Sequence, residues 1–272
     1  MQKLTLFILI LVTCFACLEM EPKPERGPSS LPAANYETAT IRWSNELVST
    51  SNLNLMISSD FSDQEKASIG EIISTWNVAH EDLSFISETR QETSNLNTSD
   101  LNVYRDNTLG IYKSYSWFDE LSSFALGVTQ FYATRRNAGM DSEYLEILHA
   151  DIILNYKDYN FDANDKAYSG YDLYSVILHE MGHFLGLKHT RHVEDVMSPY
   201  LDTGELKHTL SANDVNLLNN LYTKTISSLS KKAVSGSNSA VDYDEEVIRG
   251  IIELMPCGCQ KARFEITKKP IF

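Results

Sequence analysis

The sequence predicts an α+β domain in which a twisted, mixed sheet of about five strands packs against three helices. Three observations carry this prediction. Strand-like and helix-like apolar periods succeed one another in the order β-α-β-β-β-β-α-α, capping signals precede each helix, and 43% hydrophobic with 22% charged residues is enough apolar matter for a core. Residues 52–58 (NLNLMIS) alternate and read as the first strand. Ser62 and Glu65 then form a capping box opening a helix to about His80, with Ile69, Ile72, Ile73, Trp76 and Ala79 at the spacing of one buried face. Further strands are predicted at 83–87, 100–105, 125–132 and 149–155, several ending in Asn, Asp or Gly. A second helix starts near Tyr171, where Ser169 and Asp172 have capping-box spacing. The third follows Ser211, with Asp214 as its box partner and Val215, Leu218 and Leu221 pointing inward.

The flanks read differently from this core. Residues 1–16 join a basic Lys3 to an apolar run over 4–12, too short to span a bilayer and patterned as a secretory signal. Ala16 precedes Cys17, an arrangement that resembles a bacterial lipoprotein signal. Lipid attachment at Cys17, cleavage before Cys14 and plain secretion are the readings kept, with a secreted or envelope-anchored protein expected in each. Residues 17–38, rich in Pro and Glu, read as a tether. Residues 39–222 hold the domain, and 223–272 read as a Ser-rich linker and tail ending in Cys257-Gly258-Cys259. The 23 Lys and Arg against 37 Asp and Glu, a net charge of −14, argue against a nucleic-acid partner. Contact with a membrane is expected only through an N-terminal lipid, and a monomer is expected.

The chemistry concentrates in YDLYSVILHEMGHFLGLKH, residues 171–189. His179 and His183 are four apart, so a helix of 3.6 residues per turn sets their imidazoles about 40° apart on one face. Glu180 projects beside the first of them, within reach of a metal-bound water. Gly186 allows the helix to stop and the chain to reverse, which returns His189 as a third ligand. Three neutral imidazoles leave one tetrahedral position for water, the layout of a catalytic zinc site. By composition, His-Glu-x-x-His alone arises in roughly one chain in a hundred; adding Gly186 and His189 at their offsets lowers this to the order of 10⁻⁵.

HEMGHFLGLKH, followed by Met197 in DVMSPY, resembles the signature of the metzincin metalloproteases, and TLSANDVNLLNNLY together with IRWSNELVSTSNLNLMIS resembles their matrixin branch. The resemblance covers residues 41–222. It implies a metzincin-like zinc peptidase fold, His179, His183 and His189 as zinc ligands, Glu180 as general base and Met197 as an apolar floor beneath the metal. It also implies that Pro199 and Tyr200 form one wall of the substrate pocket, although the family's aromatic sits one place later, where this chain has Leu201. The implied function is a zinc-dependent endopeptidase acting on protein or peptide substrates of the extracellular space or envelope. A surface lipoprotein that uses such a domain for binding or adhesion is the alternative. One zinc is expected: His149 and Asp151 are present where matrixins hold a second, but no full ligand set assembles. Calcium is the other candidate cation, for the oxygen-rich run DYNFDAND at 158–165, but this lacks the Gly and terminal Glu of an EF-hand, and a solvated acidic loop is the favoured reading. The family's paired acidic residues on the third helix are Asn213 and Asp214 here, so the usual salt link to the N-terminus is not expected. No pro-domain fits between Cys17 and Ile41; a thiolate of the tail, from Cys257 or Cys259, is a candidate zinc blocker, against a disulfide between the two, pairing with another protein, or a tail without catalytic role.

Overall fold

The computed structural model describes residues 38–50, 53–87, 91–163, 170–222, 247–256 and 261–267. The signal, Cys17, most of the tether, the 223–240 linker, Cys257 and Cys259 lie outside the described residues. The chain is α+β, as expected. Its strands are β1 (Ile41–Arg42), β2 (Leu55–Ser58), β3 (Gln91–Thr93), β4 (Leu109–Ser114), β5 (Gly127–Arg136), β6 (Tyr144–Asn155), β7 (Phe161–Asp162), β8 (Tyr171–Asp172), β9 (Val247–Leu254) and β10 (Lys261–Thr267). The helices are α1 (Asn45–Ser49), α2 (Asp63–Val78), α3 (Leu173–Phe184) and α4 (Ala212–Tyr222). Eight strands make one mixed sheet in the order β10-β9-β5-β6-β4-β2-β3, with β1 joining β6; β7 and β8 pair separately. The strands β2, β3, β4 and β6 run parallel, and β5 turns back antiparallel to β6. The sheet is therefore larger than the five strands expected.

Two of the three expected capping boxes are realised. Glu65 N–H donates to Ser62 Oγ at 3.3 Å and Ser62 N–H to Glu65 Oε2 at 2.7 Å, closing the box at the head of α2. Ser211 and Asp214 make the same reciprocal pair before α4, at 3.0 and 2.9 Å. Ile69, Ile72, Ile73 and Trp76 of α2 are buried, and the Trp76 indole N–H donates to Leu178 O of α3 at 3.0 Å, locking the two helices together. Both helices sit on one face of the sheet in a single apolar cluster with Ile57, Ile111, Ile152 and Leu154. The other face is covered by the loop between β4 and β5, where Trp117, Phe118 and Leu121 pack on Tyr112, Val128 and Ile153.

Several expectations need correction. Residues 100–105 are not a strand: Leu101–Tyr104 form a 3₁₀ turn, capped by Asp100, whose Oδ1 accepts from Asn102 N–H at 2.9 Å. At 83–87 only a single bridge, Leu53 to Ile86, forms, because the buried Asn77 side chain takes the Phe85 and Ile86 N–H groups itself, each at 3.0 Å. The helix near Tyr171 begins at Leu173, with Asp172 as cap rather than as box partner; its Oδ2 accepts from Ser175 N–H at 2.7 Å. Strand β4 was not anticipated, since Gly110 and Lys113 interrupt its apolar pattern. Where the sequence reads as linker and tail, β9 and β10 extend the sheet beyond β5, antiparallel over Gly127–Leu254 to Thr134–Val247.

Candidate metal centre

Helix α3 is buried along nearly its whole length, so its polar side chains are held by the protein rather than by water. It ends in a Schellman motif: Leu187 N–H donates to Gly182 O at 2.9 Å and Gly186 N–H to His183 O at 2.8 Å, with Gly186 at φ +95°. A side chain at Gly186 would meet Ile41 O at 2.3 Å, so the position demands glycine for space as well as for conformation. The carbonyls left over at the helix end are taken by the Trp43 indole N–H (to Phe184 O, 2.7 Å) and the Tyr222 hydroxyl (to Leu185 O, 2.8 Å).

The reversal after Gly186 brings His189 to the two helical histidines. Its Nε2 lies 3.2 Å from His179 Nε2 and 3.1 Å from His183 Nε2. The other nitrogens are engaged: His179 Nδ1–H donates to Val196 O at 2.7 Å and His183 Nδ1–H to Leu187 O at 2.8 Å. Carbonyl oxygens only accept, so these bonds put the protons on Nδ1 and leave bare lone pairs at both Nε2 atoms, facing a third imidazole. Lone pairs so close repel unless a cation sits among them. Tetrahedral zinc with bonds of 2.0–2.1 Å would separate its nitrogens by about 3.3 Å, which matches the observed spacing. Burial, with mutual repulsion added, keeps His179 and His183 far below the usual imidazole range, and burial lowers His189 to about 4, so all three are neutral donors at pH 7. Among the described residues this trio is the group whose donor atoms converge, all within 4.8 Å of one another.

Met197 lies under the trio's helix: an added Cβ at Gly182 would touch Met197 Sδ at 2.2 Å. Its turn is clamped by Asp214 of α4, whose carboxylate accepts from Val196 N–H at 2.9 Å and Met197 N–H at 3.2 Å. Asp214 thus reaches His179 through Val196, a role that sequence reading missed because it saw a capping-box partner and a place for the family's salt link. Glu180 is fully buried; Thr129 Oγ1 of β5 is 2.6 Å from its Oε2, while Oε1 has no hydrogen-bond partner among the described residues. Burial raises the Glu180 carboxyl to about 8, the Thr129 hydrogen bond pulling it down and the Glu253 carboxylate pushing it up. Thr129 carried no sequence signal.

Of the expected pocket wall, Pro199 is half-buried and Tyr200 is exposed, its hydroxyl donating to Asp202 at 2.8 Å; Leu201 is the residue that enters the core. His149 Nε2 lies 2.7 Å from Asp151 Oδ2 and 2.7 Å from Tyr104 O, so this pair is consumed by its own buried contacts. In the acidic run, Asp158 pairs with the Asn155 side-chain amide at 3.1 Å, and Asn164 and Asp165 lie outside the described residues. An open cleft of about 900 Å³ beside the centre is lined by His189, Arg42, Asn45, Tyr144 and Glu143, and reaches neither Glu180 nor the helical histidines.

Comparison with known proteins agrees with this geometry. Residues 128–223, from β5 to the end of α4, match the family described as Matrixin. A 51-residue stretch, 19% of the chain, is 45% identical to Metalloendoproteinase 2-MMP of Arabidopsis thaliana. That stretch spans 14% of the plant protein's length. The chain is matrixin-like over this region, with a histidine trio placed to hold a metal ion.

Proposed function

We propose that the chain is a zinc endopeptidase that hydrolyses peptide bonds of extracellular or envelope proteins. The observation that supports it best is the meeting of three deprotonated imidazole nitrogens one residue from a buried carboxylate with one free oxygen. His179, His183 and His189 would hold a zinc ion, which would supply a Lewis acid for acidifying water and polarising a carbonyl. Glu180, in the ionised form that a cation held by the neighbouring histidines would favour, is the proton carrier: Thr129 holds Oε2, so Oε1 takes a proton from the attacking water as the new C–O bond forms. The same carboxyl then gives that proton to the departing amine as the C–N bond breaks. Met197 is the floor of the site, and Pro199 and Tyr200 are assigned to the substrate wall on the matrixin resemblance alone. Lipid attachment at Cys17 and export are inferred from the first residues; among the described residues no helix is long and apolar enough to cross a membrane.

The test is a pair of measurements on wild type and Glu180→Gln. Metal content should stay at one zinc per chain in both, while turnover of a peptide library should fall about 10²–10⁴-fold in the variant. Undiminished cleavage by Glu180→Gln removes Glu180 from the mechanism, and a wild-type chain that takes up no zinc removes the mechanism altogether. A binding role without hydrolysis is favoured by one observation, the burial of Glu180, and that burial has a specific cause.

A further inference from the structure

Glu180, His179 and His183 are 0%, 3% and 1% exposed, so no peptide reaches them as the chain is folded. The covering is identifiable. Glu180 lies against β5, bonded to Thr129 and close enough to Gly127 that an added Cβ would come within 3.2 Å of Oε1. One edge of β5 is taken by β6. The other carries β9, with Ile252 opposite Thr129 and Leu254 opposite Gly127. Ile252 and Leu254 belong to the same apolar cluster as Leu178 and Met181 of α3.

Resting on the peptidase reading above, in which an extended substrate lies along the outer edge of β5, we propose that residues 247–254 occupy that edge as the chain's own substitute for the peptide. Hydrolysis needs the scissile carbonyl beside the proton carrier, and the backbone next to Glu180 that can receive an incoming strand is this edge at Gly127–Thr129. A peptide added to a sheet edge is held by main-chain hydrogen bonds that are indifferent to its sequence. Strand β9 is held in that way along Gly127–Thr134, and Leu126 N–H donates to Leu254 O at 2.9 Å just beyond. The seat also carries charges that a permanent core strand rarely does. Arg249, 5% exposed, makes a two-point bond to Glu120 at 2.9 Å each and reaches Gln130 Oε1; Glu253, 1% exposed, accepts from Ser122 N–H at 2.7 Å. Released, those two side chains return to water and keep the strand soluble. Residues 223–246, between α4 and β9, are long enough to let β9 leave: extended, they span on the order of 80 Å.

The experiment starts from the intact, zinc-loaded chain with a sequence-specific protease site substituted within residues 230–240. Intact and nicked protein are compared on a mixed fluorogenic peptide library, with departure of the C-terminal fragment followed by mass spectrometry. A labelled synthetic peptide of residues 247–267 is titrated back and read by anisotropy. Cleavage should rise at least tenfold once the fragment departs, and the synthetic peptide should bind the nicked protein and inhibit it competitively with substrate. In the unnicked chain, Gly250→Val, whose side chain would meet the Phe131 ring at 2.1 Å, and Arg249→Ala should each raise cleavage several-fold. Departure of the fragment with activity and peptide binding unchanged from the intact chain overturns the proposal. So does a fragment that cannot be displaced without unfolding the domain, because β9 is then a permanent strand. If the freed protein binds the peptide and holds zinc but cleaves nothing, the docking edge stands and the peptidase reading falls.

Discussion

A hydroxyl has one proton to give, and Thr129 Oγ1 has two acceptors near it, Glu180 Oε2 at 2.6 Å and Glu180 O at 3.0 Å. The shorter contact fixes which oxygen of Glu180 is left for chemistry. The buried carboxyl has a consequence for stability that does not depend on catalysis. Unfolded, Glu180 titrates near ~4.3; folded, it is raised to about 8 by burial. Between those values the folded chain holds the proton more tightly, so its contribution is complete below the lower value and is lost as pH climbs through the upper one. After chelation of the metal, Glu180→Gln should melt with wild type near pH 4 and several degrees above it at pH 8, measured by thermal denaturation. A gap of constant size across that range would mean Glu180 is ionised in the fold. Asp214 makes a second case. Asp214→Ala removes the capping-box partner of Ser211 at the head of α4 and two buried acceptors at the Met197 turn, and should cost on the order of 2–4 kcal/mol in urea unfolding. Because Val196 O orients His179, zinc affinity should fall together with stability by about 10–100-fold. A variant that loses stability while binding zinc as before would show that the turn does not set the His179 ring.

At the level of elements, what was legible in the sequence followed rules that act over a few residues. The capping boxes at Ser62 and Ser211, the i, i+4 histidines and the Gly186 reversal are each decided within one helical turn of chain, and all four are present. Strand pairing is not local, and there the reading is incomplete: 52–58, 125–132 and 149–155 fall on β2, β5 and β6, while 83–87 and 100–105 do not form strands. The alternation at 83–87 was real, but Asn77 captured its amides; β4 has the burial of a strand without the pattern, because Tyr112 lies over Gly110 and Lys113 is paired with Glu65 at 2.8 Å. The end of α3 offers a direct check. Gly186→Ala puts a Cβ at a positive φ and against Ile41 O, and should destabilise the chain by at least about 1–2 kcal/mol while displacing His189. Gly182→Ala instead presses on Met197, a flexible side chain, and its effect on zinc affinity should be the smaller of the two. Equal losses at both positions would indicate that the reversal has no special hold on the third ligand.

For the whole molecule, the largest departure from expectation is at the C-terminal end, and its cause is ambiguity of period. VIRGIIEL buries every residue between two neighbouring strands, so its apolar positions fit a helix face as readily as a strand, and its partner β5 lies more than a hundred residues away in the chain. Whether the eight-stranded sheet behaves as one unit is decided by how its hydrogen bonds open. In an antiparallel strand, backbone N–H groups point alternately to one neighbour and then the other, so half of the β5 amides bond to β6 and half to β9. If β9 and β10 open as a unit, the amides of β9 and the β9-facing amides of β5 should exchange with deuterium through one shared opening. The β6-facing amides of the same strand should wait for global unfolding. Native-state exchange in rising, sub-denaturing urea should therefore show protection alternating residue by residue along Gly127–Thr134, with a shallower urea dependence for the β9-facing set. A uniform opening free energy along β5 would make the sheet indivisible and leave Glu180 no route to a substrate by release of that strand.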